Sequence, residues 1–373
     1  MSVQVSSGLP HEVSRVISEV SQDDVKVVVF FFSPEMEAAS LQNQFSSAFP
    51  KATRLGASMI GGWSTRGPVE KGLVAMSLTG DEVEDVFLTF REGVKRDPRG
   101  VARSLASDVV SRWGDRQMDP EHHVGIVLFD GLCLGEKIVQ ELSAQKNFVF
   151  PIIGGAAADE LQFRRTLVVA NERISADGAL LAVLKMRVPF FFDHYVHFKP
   201  STKTSIVTQS EPDRRIVWSL DGQDAAQRYA QMLGLGSASQ IQNSHFSRHP
   251  LGVVIGDTVY ARSPNAVVEG RGLQFYCSIE AGTRVSLLEK GDLIANTREG
   301  IENTKHYLRK VRCAILFNCV LRYLEMKEDR LIQPFNDLFE GIPFIGFNTY
   351  GEELFTHHNQ TLTALFIGEK DEA

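Results

Sequence analysis

Arg322 is the residue whose placement asks most for a reason. It stands three places after Cys319 and four after Asn318, just beyond the apolar run 314–317. On a helix starting there, Cys319 and Arg322 share one face. A cation in a first helical turn opposes the macrodipole, whereas a guanidinium beside free N–H groups suits a carboxylate or phosphate. The other reading is an ion pair with Glu325 or Glu352. A second short run, 344–347, leads to Tyr350, Gly351 and Glu352. Gly351 permits close backbone approach, and Glu352 would accept an ammonium group. Arg322 and Glu352 together suit a zwitterion such as an amino acid, with Asn359 and Thr361 completing the lining. Earlier in the chain Gly154, Gly155 and Asp159 form a matching loop, whose glycine pair serves either a ligand or a tight turn.

Two other chemistries are open to these residues. Near a helix N-terminus the Cys319 thiol would be acidified, as the nucleophile of a thiol-dependent enzyme requires. No histidine stands at a motif distance from it, and a buried inert thiol is the alternative. GxSxG, P-loop, HExxH and GxGxxG patterns are all missing. His194 and His197 lie in FFDHYVHF, where an odd separation puts them on opposite faces of a strand and excludes a shared metal ion. Haem b needs only one histidine and an apolar slot. Phe190–Phe192 and Phe198 flank the pair, so His194 and His197 are its candidate ligands, or else half-buried strand histidines.

The elements that position these residues repeat three times. Stretches starting near 25, 123 and 312 each open with a continuous apolar run that ends at Phe32-Ser33, Phe129-Asp130 and Phe317-Asn318. An amphipathic helical segment follows, then a short strand ending in glycine, seen most clearly as PIIG at 151–154 and PFIG at 343–346. Further strands are expected from Thr166 and Thr361. Continuous apolar strands alternating with helices mark βαβ units covered on both faces. The fold class is α/β, with repeated strand–helix–strand units building two sheet-containing modules. Ser33, Asp130 and Asn318 are expected to cap the helices, with Pro34 in a first turn. From about 186 to 275 the pattern changes to short strands punctuated by Gly and Pro, with one helix over Gln223–Leu233.

Composition narrows the function classes. The chain has 373 residues, 43% hydrophobic and 23% charged, which suits globular domains and excludes disorder as the main state. A net charge of −7 gives no global field for nucleic acid. The longest strongly apolar run, Val27–Phe32, is far short of the roughly 20 residues that span a bilayer. The N-terminal sequence lacks a signal-peptide layout. Four cysteines without CxxC argue against a disulfide framework or zinc module. A cytoplasmic protein without membrane or nucleic-acid partners is expected.

GGAAADE at 154–160, TLVV at 166–169 and DGAL at 177–180 resemble the N-terminal module of the FIST family. Cys319 with Arg322, FNTYGE at 347–352 and HNQTL at 358–362 are similar in order to its C-terminal module. The resemblance implies an N-terminal lead over 1–24 and an N-terminal FIST module over 25–190. It then implies a connecting segment over 191–214, a C-terminal FIST module over 215–366 and a tail over 367–373. It further implies an intracellular sensor of a small ligand, associated with a partner such as a histidine kinase or a cyclic-di-nucleotide enzyme. Some members of the family are haem-based nitric oxide sensors, and eukaryotic relatives carry an F-box, for which the lead is too short.

Overall fold

The computed structural model of the protein describes residues 3–114, 118–146 and 148–369. These fall into two compact units. One holds the described residues up to His194, Arg298–His357 and those from Leu362 onward; the other holds Tyr195–Thr297 and His358–Thr361.

Three repeats build the larger unit. They are β1 (Val25–Phe32), α1 (Ala38–Ala48) and β2 (Thr53–Ser58); β3 (His123–Phe129), α2 (Gly135–Ser143) and β4 (Ile152–Ala156); and β5 (Val311–Cys319), α3 (Val320–Glu328) and β6 (Phe344–Thr349). In each repeat the two strands pair in parallel. On its other side the first strand takes an antiparallel neighbour: Leu73–Thr79, Gly178–Met186 or Leu362–Gly368. The strands read as unbroken apolar runs because both faces are covered. In β1, Val29 and Phe31 join the central core, while Phe30 and Phe32 pack toward α1, where Phe45 stacks on Phe30 at 4.3 Å. Phe31 also lies 4.1 Å from Phe347 and 6.3 Å from Phe317, joining the first and third repeats. Each such phenylalanine contributes about 1.5–3 kcal/mol by its burial.

The repeats are interlocked by exchange. Gly62–Ser64, from the first, pairs with β6; Glu352–Leu354, from the third, pairs with β4; Val168–Ala170, from the second, pairs with β2. Each repeat thus lends strand edge to another in a closed cycle. This pairing explains why 298–357 shares a unit with the N-terminal residues rather than with its chain neighbours from 215 to 297. The strand from Thr166 is such a lent strand, Val168–Ala170, whereas Leu362–Gly368 is the third repeat's own flanking strand. The two occupy different places in the repeat. The lead is built in as well: Gln4–Gly8 pairs with Leu73–Thr79, and the helix Val13–Val20 buries Val13, Val16, Ile17 and Val20. Of the tail, residues 370–373 lie outside the described residues.

The expected helix caps are corrected. Ser33 Oγ instead accepts from Gly72 N at 2.7 Å, and α1 is capped by Glu37, which accepts from Ser40 N at 2.6 Å. Pro34 therefore precedes the helix. Asp130 is drawn to Thr166 and Lys95, and α2 starts only at Gly135. Asn318 remains in β5, with Cys319 at the cap position of α3 and no side-chain cap bond there.

In the second unit Phe198–Glu211 pairs antiparallel with Ile216–Leu220 and with Arg284–Lys290. Leu251–Ile255 and Thr258–Arg262 form a hairpin. The expected helix runs over Ala225–Leu233 and buries Ala225, Ala226, Tyr229 and Met232 in a cluster with Val217, Leu273 and Leu287. It ends at Gly234, whose φ of +81° is the left-handed conformation that favours glycine. Among the described residues no helix is long and apolar enough to cross a membrane.

Candidate functional site

Parallel strands β5 and β6 end side by side, Asn318 opposite Asn348 and Cys319 opposite Thr349. The chain turns directly from β5 into α3, so Arg322 falls in the first turn and is carried under the strand ends. Asn318, Arg322, Asn348, Thr349 and Glu352 are all fully buried. Arg322 Nε donates to Asn318 Oδ1 at 3.1 Å, and Asn318 Nδ2 donates to Asn348 Oδ1 at 2.9 Å. Asn348 Nδ2 in turn donates to the carbonyls of Ile60 and Gly61, at 2.6 and 3.1 Å. The chain of amides runs from the third repeat into the first.

Burial pulls the Arg322 pKa down to about 10, against Glu325, Cys319 and Glu352, which act to raise it. The guanidinium stays charged at neutral pH. Glu352 Oε1 accepts from Thr349 Oγ1 at 3.1 Å. The next residue, Glu353, is buried too, rather than solvated. Its Oε1 lies 2.7 Å from Nδ1 of His357. Adjacent strand residues face opposite sides, so Glu352 belongs with Arg322 and Glu353 with His357. Gly351 is small because of that histidine: a Cβ would come within 2.3 Å of His357 Cε1.

The glycine pair of the second repeat is corrected from loop to strand. Gly154 and Gly155 lie in β4, paired with β3 on one side and with Glu352–Leu354 on the other. A Cβ on Gly154 would sit 1.8 Å from the Val127 carbonyl oxygen. The position needs glycine for strand packing, whatever else it does.

Asp159 does order a loop. It accepts from the N–H groups of Phe163, Arg164 and Arg165 at 2.7–2.9 Å and from the Tyr350 hydroxyl at 2.6 Å. Tyr350 Oη also accepts from Leu161 N, and its ring stacks on Phe163 at 4.7 Å. Burial works to raise the Asp159 pKa, but the Tyr350 and backbone hydrogen bonds outweigh it and hold the carboxyl below its usual range. Inside this loop Glu160, Leu161 and Phe163 all take positive φ, between +51° and +62°, a strained conformation for side-chain-bearing residues.

The structure gathers Asn318, Cys319, Arg322, Tyr350, Gly351, Glu352, Gly154, Gly155 and Asp159 into one unit, while Asn359 and Thr361 fall in the other. There Thr361 Oγ1 donates to the Asn359 carbonyl at 2.9 Å, and Asn359 Nδ2 donates to the His358 carbonyl at 3.0 Å. Sequence reasoning missed Asn348 and Thr349. Aligning PIIG with PFIG and counting forward from the matched strands would have set Asn348 opposite Asn318.

Cys319 is 1% exposed, so the thiol-enzyme reading would need a substrate to reach a closed position. Among the described residues no group of three His, Cys, Asp or Glu side chains is placed to hold a metal ion. The haem reading does not fit the packing. Phe190 and Phe192 pack on the unit core, Phe191 stacks on Tyr307 at 4.4 Å, and Phe192 also meets Phe355 edge-on. These rings, which would wall a porphyrin, are committed to protein neighbours. His194 is half-buried, and burial lowers its pKa against the pull of Asp193. In the other unit, buried His197 packs on Phe198 at 4.3 Å, and its carbonyl accepts from Gly291 N.

Residues 26–223 match the FIST N domain and 225–354 match the FIST C domain. The chain belongs to the FIST family. FIST domains are sensory domains of signal-transduction proteins that bind small ligands. An uncharacterized protein of Methanocaldococcus jannaschii is 26% identical over 145 residues, 38% of this chain and 28% of the relative. The match therefore spans little more than a quarter of that relative's length. A crystal structure of chorismatase is similar at a TM-score of 0.33 and 6% identity, over 98% of this chain and 99% of the other. At that distance the likeness carries no argument about chemistry.

Proposed function

We propose that this FIST protein senses a small anionic or zwitterionic molecule of amino-acid type at the carboxyl ends of β5 and β6. The observation that carries the reading is Arg322, a fully buried guanidinium in a helix's first turn, with Glu352 close enough to act on its charge. A buried cation is costly to keep unless it is paired and hydrogen-bonded. Helix N–H groups at the same place also favour an anion. In this reading Arg322 takes the ligand carboxylate, Glu352 takes its ammonium group, and Asn318 and Asn348 hold the guanidinium in place. Cys319, Tyr350, Gly351 and the Gly154–Asp159 segment shape the surroundings within the same unit. The signal passes to a partner protein such as a histidine kinase or a cyclic-di-nucleotide enzyme. The protein works in the cytoplasm, a location in keeping with four buried cysteines, Cys133, Cys277, Cys313 and Cys319, none of them in a disulfide.

The test is thermal shift of the full chain against the amino acids and small carboxylates. A ligand at a hundred times its Kd stabilises by about 2.7 kcal/mol, enough to read as degrees. Glu352→Gln should weaken amino acids at least tenfold while sparing plain carboxylates, and Arg322→Lys should weaken both. A wild-type protein indifferent to the whole panel, or variants that respond like it, would sink the reading.

A further inference from the structure

We infer a second binding site in the other unit, on the segment His358–Thr361, for a small molecule presenting a planar amide edge, a hydrogen-bond donor beside an acceptor. Gln360 carries the inference. Its side chain is 1% exposed, and neither Nε2 nor Oε1 has a hydrogen-bond partner. A carboxamide offers two donors and an acceptor, and buried polar groups in folded proteins are almost always bonded. An entire amide buried and idle is therefore a group awaiting something.

The segment around it is not idle. Thr361 and Asn359 bond its backbone at 2.9 and 3.0 Å, while Gln360 itself is held at φ +51°, a conformation such residues rarely adopt. Its neighbours are thus used to fix the segment, and its own side chain is left over. In the same unit the Tyr260 ring lies 5.4 Å from the His358 ring, and the Arg262 guanidinium lies 6.0 Å from the Tyr260 centroid. One residue past that strand, the Ser263 hydroxyl is fully buried and likewise without a partner. A glutamine amide meets another donor–acceptor edge in two parallel hydrogen bonds, as it does with a base edge. The His358 and Tyr260 rings of the same unit would favour a flat group. Primary carboxamides and nucleobases share this edge. The inference is independent of the Arg322 reading.

The experiment is thermal shift and calorimetric titration of the full chain with glutamine, asparagine, adenine and uracil. Glutamate and aspartate serve as controls of the same shape that lack the amide donor. At least one amide-edged probe should bind at least tenfold more tightly than the acids, and the probe class that answers, amino-acid amide or base, names the source. Gln360→Leu should lose that response at least tenfold and melt no lower than wild type, because no existing bond is removed. Gln360→Met repeats the test if the leucine variant does not fold. Adenine and uracil, which carry neither an ammonium nor a carboxylate group, should bind Arg322→Lys as they bind wild type, which separates this site from the first. Absence of binding by every amide probe, unchanged binding by Gln360→Leu, or a clear fall in that variant's melting temperature would overturn the inference. The last outcome would mean that the amide bonds a trapped water for stability.

Discussion

The second and third repeats bring equivalent strands to equivalent corners and place opposite charges there. β3 ends against Asp130, whose buried carboxylate meets Lys95 Nζ at 2.9 Å and accepts hydrogen bonds from Leu132 N and the Thr166 hydroxyl. β5 ends at Asn318–Cys319, and the buried charge is the guanidinium of Arg322, tied through amides into the first repeat. In the second repeat a turn over residues 130–134 separates strand from helix; in the third there is none. The turn lets Lys95, 41% exposed, answer its partner from water's edge. Without a turn, Arg322 is carried inward and must be answered by interior groups. One corner is thus solvent-relieved and the other is closed, which is why the closed one is the better candidate for a ligand's charge.

The largest effect that would separate the two corners is expected from Arg322→Ala. Removing one member of a buried charged network costs about 3–5 kcal/mol, and Asn318 Oδ1 would lose its guanidinium donor. Chemical denaturation should show a midpoint shifted by that amount, a large share of the about 5–15 kcal/mol of a typical domain. A loss below about 1 kcal/mol would mean that water reaches Arg322 and the corner is not closed. The same magnitude explains why Arg322→Lys and Glu352→Gln, rather than the alanine variant, are the tools for ligand binding.

Asp159 ties the two corners together, because its loop belongs to the second repeat and its partner Tyr350 to the third. Its folded-state pKa lies below the ordinary carboxylate value. Its contribution to stability is therefore fully present above pH 4 or so and is lost as pH falls through the lower folded value. Asp159→Asn keeps one acceptor and gives up the charge, at a cost of about 1–3 kcal/mol at neutral pH. As pH falls below about 4, the wild-type protein should lose stability more steeply than the variant. Parallel acid-denaturation curves would show that Asp159 is not the group that holds the loop.

Much of this architecture was legible in the chain, and the failures have physical causes. Continuous runs such as Val27–Phe32 announced β1, β3 and β5 because both strand faces are covered, and PIIG and PFIG located their parallel partners. The exchanged strands Gly62–Ser64 and Glu352–Leu354 are three residues long, too short to carry a period of two. Gly154-Gly155 read as loop because neither residue favours strands. Neighbours on both sides impose strand there, tertiary context overriding propensity. Arg322 and Glu352 were singled out by type and position, but their full burial was not, since such residues are rarely buried unless paired. Gln360 drew no notice because nothing in its spacing distinguishes it; only the missing hydrogen bonds do.

The smallest effect sharpens the comparison from the other side. Asp130→Asn removes the charge from the solvent-relieved corner while leaving an oxygen to accept from Leu132 N and the Thr166 hydroxyl. Lys95 is left with the Ala176 carbonyl, which its Nζ already meets at 2.8 Å, and with water. A neutral hydrogen bond in place of a charge-assisted one is worth about 1 kcal/mol, and an exposed lysine adds little. Denaturant midpoints should therefore place this variant within about 1 kcal/mol of wild type, several-fold less than Arg322→Ala costs. Equal losses at the two corners would mean that the turn over residues 130–134 gives no relief. The contrast that singles out the third repeat as the ligand's seat would then rest on charge sign alone.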